Sequence, residues 1–225
     1  MLSGPLSRRA PIATLFDLDG TLVDTVPFIL AAVRYAFEGY GAAPSDDAWR
    51  AGIGTPLRSQ LAQFSRCPED VEPLLARYRE FWIAHHDRMT RPFPGAVETV
   101  ASLAARGHPI GVVTAKTEEG ALRTLRHIGV LPFMGAIVGA DTCARCKPDP
   151  EPVLVALARL EREPADALLV GDSAHDVAAA LAAGVQAIGV SWGVSDRASL
   201  ERAGAERVVD DLREIVALAG AGRTG

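Results

Sequence analysis

Short apolar runs and longer amphipathic stretches alternate along most of this chain. Six runs rich in β-branched residues predict strands: 12–17 (IATLFD), 109–114 (PIGVVT), 135–140 (GAIVGA), 167–172 (ALLVGD), 185–190 (VQAIGV) and, more weakly, 206–210 (ERVVD). Most are continuously apolar rather than alternating, the pattern of strands covered on both faces. Between them, 96–107, 120–130, 151–160 and 175–184 carry helical spacing, and three of these close on Gly107, Gly129 or Gly184. Repeated strand–helix units of this kind imply a parallel sheet. The predicted fold class is α/β, a doubly wound, Rossmann-like parallel sheet.

Residues 23–91 break the rhythm. They read as helix throughout, in pieces at 25–40, 45–52, 56–65 and 69–88, separated by Pro44-Ser45, Gly54-Thr55-Pro56 and Pro68-Glu69. A single crossover needs only one helix, so the excess predicts an inserted α-helical cap that returns through RPFPGA (91–96). The expected division is 1–22 and 92–225 for the α/β core and 23–91 for the cap. The Gly-rich tail AGAGRTG (219–225) reads as disordered.

Composition narrows the function classes. A chain of 225 residues can bury a sizeable core. A formal charge of −5 and the lack of any basic run argue against nucleic acid as a main partner. No apolar stretch approaches the ~18 residues that span a bilayer, and the arginine pair near the start is followed by no apolar region of a signal peptide. Three cysteines suggest a reduced, cytoplasmic protein rather than a disulfide scaffold. CARC (143–146) lacks the second cysteine pair of a tetrahedral zinc site and reads as ordinary thiols. Of 23 basic residues only Lys116 and Lys147 are lysines, which makes both worth a question.

Ligands of open parallel sheets sit beyond the carboxyl ends of the strands. Those ends carry Asp17 and Asp19, Thr114, Lys147 after the third strand, then Asp172 and Asp176. Asp17 and Asp19, two apart on an extended chain, face one pocket. Gly20 then permits a turn and Thr21 offers a hydroxyl. Asp172 and Asp176 lie about one helical turn apart on GDSAHD (171–176) and can face the same pocket. Carboxylates within ~4–6 Å of one another raise each other's pKa and repel anions, a conflict that a hard cation such as Mg²⁺ resolves. Asp17, Asp172 and Asp176 then balance Mg²⁺ and Lys147, provided Asp19 is protonated. Such a site would hold a phosphoryl group through Mg²⁺, the Lys147 ammonium, the Thr114 hydroxyl and loop N–H groups. One carboxylate would attack phosphorus, and a second would serve as acid and base.

DLDGT (17–21), VVTAK (112–116), KPDP (147–150) and GDSAHD (171–176), in this order, closely resemble the four motifs of the haloacid-dehalogenase-like phosphohydrolase superfamily. The resemblance spans roughly 12–22 and 92–212, and the insertion resembles that family's helical cap. It implies Asp17 as nucleophile and Asp19 as acid/base. It implies Asp17, Asp172 and the Asp19 carbonyl as Mg²⁺ ligands, and Asp176 as an orienter of metal waters. Gly20, Thr21, Thr114, Ala115, Lys116 and Lys147 make up the implied phosphate- and substrate-binding set. The family's dehalogenases lack the second aspartate, present here as Asp19. Sugar phosphomutases of the nearest branch usually carry Val where Thr21 stands and His where Ile29 stands. Hydrolysis of a small phosphate compound is therefore the expected reaction, by a monomer or homodimer. A phosphomutase and a catalytically silent binding protein are the alternatives. YREFWIAHHDRMTRPFPG (78–95), KPDPEPV (147–153) and GVSWG (189–193) look most like the phosphoglycolate-phosphatase and bacterial pyrophosphatase branch. Arg58, His85 and His86 are cap candidates for substrate contact.

Overall fold

A computed structural model describes residues 11–41 and 43–221. In chain order its strands are β1 (Ala13–Phe16), β2 (Val23–Asp24), β3 (Arg91–Pro92), β4 (Ile110–Val113), β5 (Ala136–Val138), β6 (Ala167–Gly171), β7 (Gln186–Val190) and β8 (Arg207–Val209). Four helices precede β3: α1 (Val26–Phe37), α2 (Asp46–Arg50), α3 (Leu57–Phe64) and α4 (Val71–Met89). After it come α5 (Ala96–Ala105), α6 (Glu118–His127), α7 (Glu151–Arg159), α8 (Ala174–Ala182), α9 (Arg197–Ala203) and α10 (Glu214–Ala221).

Six strands form one parallel sheet in the order β5-β4-β1-β6-β7-β8. The chain winds outward from β1 through β4 to β5, then crosses to the other side of β1 for β6, β7 and β8. Alternate residues of each strand feed opposite cores. Phe16, Leu168 and Val170 pack with Val100 and Leu103 of α5, Leu125 of α6 and Ile215 of α10. Leu15 and Leu169 pack on the other face with Val153 and Leu157 of α7, Val177 of α8 and Leu200 of α9. Burial on both faces explains why these strands are continuously apolar. The α/β, doubly wound fold read from the sequence is therefore the fold observed. Helices α1 to α4 gather around a third cluster of their own, in which Trp49 and Leu61 are wholly enclosed. Among the described residues no helix is long and apolar enough to cross a membrane.

Three expectations shift. The helix expected over 120–130 starts at Glu118, because the Thr117 side chain accepts the Gly120 N–H and two glutamates occupy the first turn. The stretch 23–91 is not helical throughout. Strands β2 and β3 pair antiparallel where it leaves and rejoins the sheet, with Val23 opposite Pro92, and Pro68–Asp70 forms a turn of 3₁₀ helix. The tail expected to be disordered is helical as far as Ala221, because Ile215 and Ala219 dock on the sheet; residues 222–225 lie outside the described residues. Helix α9 starts at Asp196, which accepts the Ser199 N–H, and stops at a left-handed Gly204. Apolar periodicity alone passes over both signals.

Candidate active site

Three adjacent strands deliver the acidic groups. Phe16 on β1 lies opposite Val112 on β4 and Val170 on β6, so Asp17, Thr114 and Asp172 emerge side by side where the strands end. Gly20, at φ +81°, folds the chain back, and its N–H donates to the Val23 carbonyl at 2.9 Å. A side chain here would run into Asp172, whose Cγ lies 2.8 Å from an ideal Gly20 Cβ. The Thr21 hydroxyl donates to one Asp172 oxygen at 3.1 Å, and the Val194 N–H donates to the other at 2.8 Å.

Asp17, Asp172 and Asp176 are all buried, and each offers an oxygen within 4.8 Å of the others. Lys147 binds two of them, donating from Nζ to Asp17 at 2.9 Å and Asp176 at 2.6 Å, with a third bond to the Val113 carbonyl at 2.9 Å. Its three donors are thus all used within the protein. The second Asp176 oxygen accepts from the Ser173 N–H at 3.0 Å and hydroxyl at 2.6 Å, closing a capping box at the start of α8. Burial pushes the Asp17 carboxyl up to about 7 despite the Lys147 ammonium beside it. Burial, then Asp17 and Asp176, raise Asp172 well above the carboxylate range. Burial opposes the Lys147 charge, yet Asp17 and Asp176 together hold its pKa above the ordinary lysine value. Ionised together, three enclosed carboxylates against one ammonium would leave an excess of negative charge, and they offer a donor set of hard oxygens. That set fits Mg²⁺.

Asp19 stands apart from the trio, and the charge count needs a correction here. Its two oxygens accept from Lys116 Nζ at 2.7 and 2.6 Å, a second ammonium that the count of charges left out. The Thr25 hydroxyl, at the start of α1, also donates to Asp19. The Thr114 hydroxyl accepts the Lys116 N–H at 3.3 Å. Among the described residues, no acceptor engages the Ala115 N–H.

Of the cap candidates, Arg58 pairs with Glu72 on the exposed surface. His85 stacks edge-on against Phe81 and meets Arg88 at 3.2 Å. His86 is buried, with Nε2 2.9 Å from the Thr124 hydroxyl of α6, so it joins α4 to the sheet side of the molecule. Cys146 donates to the Ala140 carbonyl at 3.7 Å, and Cys143 packs on the α7–α8 face. Sequence reasoning missed Thr25, Ser173 and the Val194 N–H. Only Ser173 carried a signal, the Ser-x-x-Asp spacing of a capping box.

A family model described as haloacid dehalogenase-like hydrolase matches residues 14–190. The "Probable phosphatase IndB" of Dickeya dadantii is 36% identical over 212 residues, covering 91% of this chain and 92% of that protein. Pyrophosphatase PpaX of Halalkalibacterium halodurans is 36% identical over 182 residues, covering 80% and 83%. A crystal structure of a hydrolase from Pseudomonas syringae superposes with a TM-score of 0.84 at 27% identity, covering 95% of this chain and all of that one. The motifs, the sheet that presents them and these matches agree: the chain belongs to the haloacid dehalogenase-like hydrolases.

Proposed function

We propose that the protein is a Mg²⁺-dependent phosphatase that hydrolyses a small phosphate compound through an aspartyl-phosphate on Asp17. The observation that carries this reading is the buried trio of Asp17, Asp172 and Asp176 beside Lys147, at the ends of adjacent strands. Asp17 and Asp172, with the Asp19 carbonyl and Asp176, are the residues that would hold Mg²⁺. When bound, the ion supplies Lewis-acid polarisation of the phosphoryl group and neutralises the carboxylates. Helices α1 to α4 act as the cap, bringing the turn around Gly54 over the site; a Cβ there would meet Ser173 Oγ at 3.3 Å and His175 Nδ1 at 3.6 Å.

Asp17 attacks phosphorus with a carboxylate oxygen. The bond from phosphorus to the leaving oxygen breaks, and Asp19 delivers a proton to that oxygen. Water then attacks the phosphorus, Asp19 takes its proton, and the bond to Asp17 breaks to free phosphate and the original carboxylate. Lys147 holds Asp17 and Asp176 in place, while the Thr114 hydroxyl and the Ala115 N–H lie at the strand end that would receive the phosphoryl oxygens. The name of the pyrophosphatase relative supports pyrophosphate as substrate; phosphoglycolate and sugar or nucleoside phosphates are the other compounds this reading admits. The test is release of inorganic phosphate from these compounds in Mg²⁺, with and without EDTA. Turnover abolished by EDTA and by Asp17→Asn is the expected result. A labelled phosphoenzyme trapped from wild type and absent from Asp17→Asn would identify the nucleophile. Isomerised product without free phosphate would refute the hydrolytic reading.

A further inference from the structure

The two lysines of the chain reach the same site in different ways. Lys147 is enclosed, and its donors are committed to Asp17, Asp176 and the Val113 carbonyl. Lys116 keeps its side chain 12% exposed, and among the described residues Asp19 is the only hydrogen-bond partner of its ammonium. An ammonium has three donors, so at least one of them remains for a ligand. The backbone beneath Lys116 is fixed on both sides. Its N–H donates to the Thr114 hydroxyl, and its carbonyl accepts the Ala140 N–H at 2.7 Å. Only the flexible four-carbon stem is free to swing.

The proposed chemistry puts the leaving oxygen within hydrogen-bond reach of Asp19. Lys116 Nζ lies 2.6 and 2.7 Å from the Asp19 oxygens. Two such contacts in series place Nζ within ~6 Å of the leaving oxygen. An anionic group one or two atoms beyond that oxygen would fall beside the ammonium. A neutral leaving group offers no such partner, and Lys116 then keeps both Asp19 oxygens occupied, which impedes proton delivery. Resting on the phosphatase reading above, we infer that Lys116 is the specificity-determining contact for the leaving group. It exchanges Asp19 for a second anion on the substrate and selects phosphate compounds whose leaving group is itself charged. The anion is either a phosphate, as in pyrophosphate, or a carboxylate next to the scissile oxygen.

The test compares kcat/KM for 2-phosphoglycolate, for pyrophosphate and for 2-hydroxyethyl phosphate, which replaces the carboxylate by a neutral carbinol at the same chain length. Wild type is expected to favour at least one of the two charged leaving groups over the neutral one by roughly tenfold or more. Lys116→Met is expected to erase most of that preference, chiefly through KM for the charged substrate, and Lys116→Arg to retain part of it. The charged substrate that loses more in Lys116→Met identifies the anion. Thermal melts of both variants confirm that they fold. Equal kcat/KM for charged and neutral substrates in wild type overturns the inference without any variant. So does an equal fractional loss on all three in Lys116→Met, and either result leaves the phosphatase reading intact. Failure of wild type to release phosphate from any of the three in Mg²⁺ overturns the inference, and failure on sugar and nucleoside phosphates as well overturns the phosphatase reading.

Discussion

Asp17→Asn should abolish turnover and yet stabilise the metal-free protein at alkaline pH. Asp17 is 4% exposed and its pKa rises from 3.8 to about 7, with burial as the largest cause. A carboxyl whose folded pKa lies above its unfolded value binds more protons when folded. Stability is therefore lost as pH rises from about 4 to about 7, and the loss is complete above that window. At 1.36 kcal/mol per pKa unit the rise corresponds to about 4 kcal/mol. The carboxamide removes the charge but adds a donor that can remain unpaired, at ~1–3 kcal/mol. A net gain of ~2 kcal/mol follows, or roughly 4–8 °C in Tm for a chain of this size. Thermal unfolding in EDTA at pH 8 and pH 4.5 measures it. The variant should melt above wild type at pH 8 and lose that advantage at pH 4.5. An equal or lower Tm at pH 8, or the same difference at both pH values, would refute the electrostatic reasoning.

Other perturbations test neighbouring parts of the site. Gly20→Ala forces a side chain into a backbone at φ +81° and against the Asp172 carboxylate. It should destabilise by at least ~1 kcal/mol and weaken Mg²⁺ binding, read from the rise of Tm with added Mg²⁺. Lys147→Met leaves Asp17 and Asp176 without their shared ammonium and should cost about 3–5 kcal/mol in urea denaturation at pH 8. Lys147→Arg should recover only part of this. Thr124→Val removes the buried partner of His86 Nε2, 2.9 Å away, and should cost about 1–3 kcal/mol while leaving Mg²⁺ binding unchanged. A coincident loss of metal affinity would show that the seam between α4 and α6 and the site are coupled.

The sheet and its acidic edge were legible because both depend on local rules. Strand ends follow apolar runs, and the period of two and the helical turn bring Asp17 and Asp172–Asp176 to one edge. What tertiary reach decides was not legible. Asp19 and Lys116 lie 97 positions apart, and nothing in either neighbourhood announces their pairing. The same holds for Thr25, whose hydroxyl meets Asp19 only because the chain turns at Gly20 and pairs through β2 and β3. Those two strands are two residues each, too short for any periodicity to register. The partner of Arg58 was illegible for a related reason. Its position in a cap turn suggested the site, and the structure pairs its exposed side chain with Glu72.

The scarcity of lysine also acquires a physical reading at Lys147. In a chain whose basic residues, Lys116 apart, are otherwise arginines, this position must direct three hydrogen bonds from one atom to two carboxylates and a carbonyl, all between 2.6 and 2.9 Å. A tetrahedral ammonium does this from a point. A guanidinium spreads five donors across a rigid plane and cannot converge them on so small a volume. At an effective dielectric of 20, a charge pair at 4 Å contributes ~4 kcal/mol. Keeping the positive charge while moving it by the width of a guanidinium therefore forfeits much of the balance that lets the carboxylates share the sheet edge. Substitution toward arginine is acceptable wherever a cation only faces water. It fails where one atom has to serve three acceptors in a space already closed by Val113 and the ends of β1 and β6.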